Sequence, residues 1–393
     1  MTASTVLLAP DKFKGTATAA QVAAALARGI TATAPDATQV SCPIADGGDG
    51  TLDAALAAGY SQHTTTVTGP TGEPRTARWA LDAENDTAVV ELAETVGLQA
   101  LPAGDLAART ASTRGLGELI LAAARHGART VMVGLGGSAS TDLGAGLLQG
   151  LGARLLTCDG QPIGPGLDGL ASLATADLTP ALAALSATQL VIASDVTSPL
   201  LGPYGAAAVF GPQKGLSPAE VSEADAILKH AAHILDASDT HRDQEGAGAA
   251  GGTGFALLLL GAQPRSGADA VLELAGFDAH LDQAQLVITG EGALDEQTLR
   301  GKGPVEVARR AAARDLPVIA VAGVVELDEE PLREAGIERT WDLVSRATSS
   351  ADAMDRTAQL LEEVGREIGQ WITEHGASDA PCSTPGTESG PLP

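Results

Sequence analysis

Strand–loop–helix units stand at both ends of this chain and frame a long middle stretch of different texture. "TVLLAP" (5–10) reads as a buried strand and "TAAQVAAALARGI" (18–30) as an amphipathic helix. "TQVSCPI" (38–44) reads as a second strand, and "GTLDAALAAG" (50–59) opens a second helix. The rhythm returns with strand "QLVITG" (285–290), helix "PVEVARRAAAR" (304–314), strand "PVIAVAG" (317–323), strand "WDLVS" (341–345) and a long helix across 350–374. Short apolar runs that alternate with helices are the pattern of a parallel sheet covered on both faces. Between these blocks, residues 62–110 hold strand-like pieces such as "HTTTVTGP", "RTARWAL" and "TAVVELA". Helix "GLGELILAAARHG", strand "TVMVGLG", a Gly-rich helix and strand "LVIASDV" follow. The expected fold is therefore α/β with two domains. A flavodoxin-like parallel-sheet domain is built from both chain ends (1–61 plus 285–374), with a second α/β domain inserted at 62–284. Sequential domains split near residue 180 are the alternative. Residues 375–393 read by composition as a disordered tail.

Charge removes one class of partner. A net charge of −25 and an aromatic content of 2% leave neither the electrostatics nor the stacking surfaces that nucleic acid requires. Cys42, Cys158 and Cys382 are odd in number and far apart, so a disulfide framework is not expected and a reducing compartment fits. "MTASTVLLAPDKFKG" lacks a basic leader, and "FALLLLGA" is too short to span a bilayer. The expectation is a cytoplasmic protein with no membrane partner; homo-oligomerisation stays open.

Only five lysines occur among 24 basic residues, and Lys12, Lys14, Lys214 and Lys302 sit in glycine-bearing loops ("DKFKG", "GPQKG", "RGKGP"). Ammonium groups on flexible stems beside glycines suit phosphate or carboxylate oxygens. "VMVGLGGSASTDLGAG" (131–146) reads as strand, glycine turn and helix start. There Gly134, Gly136, Gly137 and Ser138 would bring backbone N–H groups to an anion at a helix N-terminus. The same residues fit a loose dinucleotide fingerprint over Gly134–Ala139, with no second feature to support it. No P-loop is present, since Glu296 stands where its first glycine belongs. Acids recur at strand ends: Asp11, Asp46, Asp195 and Glu291. In parallel α/β sheets those ends line the ligand crevice, and carboxylates there match Mg²⁺-assisted phosphoryl transfer. The alternative for each is an Asx turn or helix cap, which weighs most heavily on Asp49.

Seven stretches, "APDKFKG", "PIADGGDGT", "STRGLGELI", "GLGGSASTDLGAG", "SDVTSPLLGPYGAAAVFGPQKG", "GAGAAGGTG" and "ITGEGALDEQTLRGKGPVEVA", together resemble the class I glycerate kinases of bacteria over about residues 5–372. The resemblance implies ATP- and Mg²⁺-dependent phosphorylation of D-glycerate, with 2-phosphoglycerate favoured over 3-phosphoglycerate. The sequence departs from the family's usual residues at Lys12 (Ser), Asp49 (Glu), Ser198 (Asn), Thr253 (Met) and Ala293 (Arg). On this reading Lys12, Asp49, Arg114 and Lys302 bind the substrate, with Lys14 in the catalytic set. ATP phosphates lie against Gly134, Gly136, Gly137, Ser138 and Lys214. Asp195 and Glu291 hold Mg²⁺, and Asp46, or alternatively Asp195, takes the hydroxyl proton. A non-catalytic sensor of an acidic metabolite and an NAD(P)-dependent oxidoreductase are the rival readings.

Overall fold

A computed structural model of the chain describes residues 4–102 and 105–376. The tail expected at 375–393 lies, from residue 377 on, outside the described residues. Two compact units are present, Met1–Pro43 with Phe277–Pro393, and Ile44–Gly276. The first unit begins with β1 (Thr5–Pro10) and β2 (Thr38–Ser41). The second takes β3 (Ser61–Thr68), β4 (Pro74–Asp82), β5 (Thr87–Glu91), β6 (Thr130–Gly134), β7 (Arg154–Leu156), β8 (Thr175–Asp177), β9 (Gln189–Ala193) and β10 (Gln263–Arg265). The chain then returns to the first unit with β11 (Leu286–Leu294), β12 (Val318–Val325) and β13 (Arg339–Asp342).

The first unit's sheet has the order β13-β12-β11-β1-β2, with every pair parallel. Counted along this unit alone, the order is 2-1-3-4-5, the flavodoxin-like arrangement, and it reverses direction between β1 and β11. Val6, Leu7, Leu8 and Ala9 are all buried because helices cover both faces. Helix Ala19–Thr33 starts at a capping box between Thr18 and Gln21. Its Val22, Leu26 and Ile30 stripe packs with Leu360, Val364 and Ile368 of helix Thr357–His375. A Cβ on Gly29 would lie 2.2 Å from the Glu362 carbonyl oxygen, so the two helices touch backbone to backbone there. Helix Gly303–Ala312 buries Val307, Ala308 and Ala311 and packs against β11 and β12.

The second unit's sheet runs β10-β9-β6-β5-β4-β3. β5, β6, β9 and β10 are parallel, and β4 and β3 extend the sheet as antiparallel strands. A two-stranded β7-β8 sheet stands apart. Helix Thr51–Ala57 follows β2 in sequence, yet Leu52 and Ala55 pack with Ala80, Val89, Met132, Ala193 and Ala270 of the second unit. The units therefore divide at Pro43/Ile44 and Gly276/Phe277, ahead of the 61/62 and 284/285 boundaries that the strand–helix rhythm suggests.

Candidate active site

In the second unit the carboxyl ends of β5, β6 and β9 are level, because Glu91 pairs with Gly134 and Gly134 with Ala193. The "ADGGDG" turn is wedged against these ends, and glycines make the contact possible. Gly47 has φ +80°, and a Cβ on it would meet the Ala193 carbonyl oxygen at 2.7 Å. A Cβ on Gly267 would sit 2.0 Å from the Asp46 carbonyl oxygen, and one on Gly136 would sit 2.4 Å from the Asp49 amide nitrogen. The Leu135 amide donates to the Gly47 carbonyl, tying the turn to the loop after β6.

This packing gathers carboxylates. Asp46 is half-buried and its Oδ1 accepts from the Gly48 amide at 3.1 Å. Asp195 follows β9, and its Oδ1 accepts from Ser266 Oγ (3.0 Å) and the Gly267 amide (2.8 Å) at the start of helix Gly267–Leu274. Asp195 keeps an exposed edge, yet the protein packed around its carboxylate raises its pKa, and the nearby Asp46 charge adds to the rise. Glu91 ends β5 with both oxygens occupied, Oε1 by the Gly50 amide (2.9 Å) and Oε2 by the Leu52 amide (3.1 Å). Burial pushes its pKa up to about 7 against the pull of those two bonds. The Asp49 charge adds to that rise.

The glycine loop differs from its expected form. The helix after it starts only at Ala145, with Gly144 as the N-cap residue in left-handed conformation. The Asp142 carboxylate already accepts from the Gly144 and Gly146 amides, and from the Thr113 amide and hydroxyl. That helix end is satisfied by protein, so a phosphate cradle at a helix N-terminus is not what Gly134, Gly136, Gly137 and Ser138 form. Gly134 ends β6, Gly136 and Gly137 make a turn with Gly137 in left-handed conformation, the Leu98 amide donates to the Gly137 carbonyl, and Ser138 bridges Gly97. Beneath it, Leu143 (φ 58°) faces a left-handed run of Ala250, Gly251 and Gly252, and its amide donates to the Gly251 carbonyl.

Lys214 does not reach solvent as a loop lysine would. It is 2% exposed, and its Nζ donates to the Ser140 carbonyl at 2.5 Å and to Ser138 Oγ at 3.5 Å. Desolvation lowers its pKa to about 7, and the buried Asp142 charge offsets part of that loss. Arg114 opens helix Arg114–Arg125, is exposed, and directs its Nε to Glu118 Oε1 at 3.0 Å.

In the first unit the switch point between β1 and β11 carries the remaining candidates. Asp11 is buried, accepts from the Lys12 amide at 2.6 Å, and lies 3.8 Å from Lys12 Nζ. Lys14 is exposed on the same loop, and a Cβ on Gly292 of β11 would lie 3.5 Å from the Lys14 amide nitrogen. The Glu291 carboxylate is oriented by the buried Thr298 hydroxyl at 2.7 Å. Lys302 stands half-buried at the N-cap of helix Gly303–Ala312. A cavity of about 450 Å³ beyond β11 and β12 is lined by Asp295, Glu296, Gln297, Glu326 and Leu327, the wrong sign for phosphate. The structure thus groups Asp46, Asp49, Asp195 and residues 134–138 in one unit, and Lys12, Lys14, Glu291 and Lys302 in the other. Sequence reasoning passed over Glu91 and Asp142. Glu91 ends a strand, and the rule that singled out Asp46, Asp195 and Glu291 applies to it equally.

The family model for the glycerate kinase family matches residues 6–373. The chain belongs to the glycerate kinase family. It is accordingly an enzyme, a kinase acting on glycerate. A glycerate kinase of Bacillus subtilis strain 168 is 41% identical over 371 residues, covering 93% of this chain and 97% of that protein. A glycerate 2-kinase of Escherichia coli K12 is 40% identical over 346 residues, covering 86% and 90%. A crystal structure assigned to a glycerate kinase 2 of Salmonella typhimurium LT2 superposes with a TM-score of 0.81 at 36% identity, covering 95% of this chain and 99% of that one. The glycerate kinase match spans both units and both groups of candidate residues. Among the described residues, no helix is long and apolar enough to cross a membrane.

Proposed function

We propose that the chain transfers the terminal phosphoryl group of ATP to the 2-hydroxyl of D-glycerate, giving 2-phosphoglycerate. The observation that carries the choice of product is the 40% identity to the E. coli glycerate 2-kinase. In the second unit the ATP phosphates lie against Gly134, Gly136, Gly137 and Ser138, where small residues let oxygens approach the backbone. Lys214 supports that loop from below through the Ser140 carbonyl. Asp46 takes the proton from the attacking hydroxyl. Asp195 is held in one orientation by Ser266 and Gly267. In the first unit, Lys12, Lys14 and Lys302 supply positive charge for the substrate's carboxylate. Asp49 and Arg114 are the second unit's substrate candidates, Arg114 in the minor role because Glu118 engages it.

Magnesium fits the donor set. Asp46 and Asp195 are close enough for one charge to raise the other's pKa, and a divalent cation relieves such a like-charge pair. Asp195 would hold the ion, and Glu291 is the first unit's oriented carboxylate of the same chemistry. When bound, Mg²⁺ neutralises charge on the phosphoryl oxygens.

The test is ADP release coupled to D-glycerate addition, followed by ³¹P NMR of the product. A 2-phosphoglycerate resonance is expected. A 3-phosphoglycerate resonance overturns the choice of hydroxyl, and no ADP release overturns the activity itself.

A further inference from the structure

The "ADGGDG" turn is stabilised partly from within. The Gly48 amide donates to Asp46 Oδ1, and the buried Thr51 hydroxyl donates to the Gly48 carbonyl at 2.7 Å. These bonds shape the turn and leave its position on the sheet undetermined. Gly50, the N-cap residue of helix Thr51–Ala57, has φ +99° and no side chain with which to cap the helix. Glu91 supplies what Gly50 lacks, from a different strand and 41 residues away, by accepting from the amides on either side of Thr51. A serine or asparagine cap within the turn would satisfy the helix end without fixing its place. Glu91 also fixes where the turn lies, because it ends β5 level with Gly134 and Ala193, the residues that lead into the glycine loop and Asp195.

We infer that Glu91 is a positioning residue for phosphoryl transfer, strapping the turn that carries Asp46 and Asp49 to the carboxyl edge of the second unit's sheet. The inference rests on the proposed kinase reading. Glu91 does not act as the base, since both its oxygens are engaged by backbone amides. Its raised pKa follows from burial, as expected of a carboxylate held away from water. A glutamine of the same shape can accept at one oxygen only, so one of the two amides loses its partner.

The test compares wild type, Glu91→Gln, Asp46→Asn and the double variant by steady-state kinetics, thermal melting and hydrogen exchange at the Gly50 and Leu52 amides. Glu91→Gln is expected to lower kcat about 10- to 100-fold, as a displaced reacting group does, with KM for ATP within about twofold. Exchange at Gly50 or Leu52 should accelerate while the sheet amides stay protected. In the Asp46→Asn background the second substitution should cost little, because its effect runs through Asp46. If Glu91→Gln fails to fold, Glu91→Asp keeps the charge, shortens the reach and should show the same loss of kcat. A folded Gln variant with wild-type kcat, or fully multiplicative losses in the double variant, would overturn the inference. Unchanged exchange at both amides would overturn the strap on its own. Failure of the wild type to release ADP with D-glycerate would instead strike the kinase reading.

Discussion

Replacing Gly136 by alanine tests the wedge between the glycine loop and the acidic turn with a single methyl group. A Cβ there would lie 2.4 Å from the Asp49 amide nitrogen, 2.6 Å from Gly48 Cα and 2.7 Å from Asp49 Oδ1. Two of those three atoms are backbone, so no side-chain rotation relieves the clash. Carbon contacts settle at about 3.5 Å, so loop and turn must separate by roughly 1 Å. Gly136 is not among the positive-φ glycines, so the substitution carries no left-handed backbone penalty. The loss should therefore appear as misplacement of Asp46 and Asp49, and a displacement of about 1 Å costs on the order of 100-fold in rate. The assay is ADP release with saturating D-glycerate and ATP, with thermal melting alongside. Gly160→Ala is the control: its φ of +74° carries the strain of a left-handed alanine, but nothing lies within 4 Å of the new methyl. The control should lose about 1 kcal/mol of stability and keep its kcat. A folded Gly136→Ala enzyme with kcat within about threefold of wild type would refute the argument that this contact places the catalytic acids.

Stability should respond to pH in opposite senses at two buried groups. Glu91 has its folded pKa raised from 4.5 to about 7. Its contribution is present in full below pH 4.5 and lost as pH rises through 7, a change of about 3 kcal/mol that Glu91→Gln should abolish in urea melts. Lys214 has its folded pKa lowered from 10.5 to about 7, so its contribution is present above pH 10.5 and lost as pH falls through 7. The stability of Lys214→Met relative to wild type should therefore fall steadily between pH 7 and 10; a flat difference would contradict the desolvation of the ammonium. Asp142→Asn should cost about 1–3 kcal/mol by urea midpoint, since an amide cannot accept all the bonds from Thr113, Gly144 and Gly146. Asp195→Asn should lower turnover at least about 100-fold at saturating Mg²⁺ if it holds the cation, and near-normal turnover would remove it from that role.

The first unit was legible because its central strands β1, β11 and β12 each carry a buried, unbroken apolar run. Its helices follow at the short distances that a parallel sheet demands. Helix Thr51–Ala57 was legible as a helix but not in its allegiance. Periodicity locates an apolar face, whereas the sheet that receives Leu52 and Ala55 is decided by tertiary packing. The glycine loop shows a similar limit. The residues around 140 look like a cap and helix start, but Leu143 takes a left-handed conformation against Gly251 and delays the helix to Ala145. The glycines and hydrophilic head of Lys214 suggest solvent, and only the folded chain reveals the Ser140 carbonyl that makes burial tolerable. The strand-end acids were readable by rule, and Glu91 was missed because the strand containing it was grouped with the irregular middle of the chain.

The pairing of β1 with β11 joins Val6 to Leu286 and Leu8 to Ile288 across an intervening unit of the same polypeptide. On a ribosome, β1 and β2 emerge long before β11, β12 and β13 exist, while every strand of the second unit's sheet is complete by Arg265. The inserted unit can therefore assemble first and bring the two distant ends into reach, which shortens the loop that the first unit must close. Until then the edge of "TVLLAP" that pairs with β11, and the stripe of helix Ala19–Thr33 that packs on helix Thr357–His375, lack their partners, and this opening segment is the part of the nascent chain that most needs protection from aggregation.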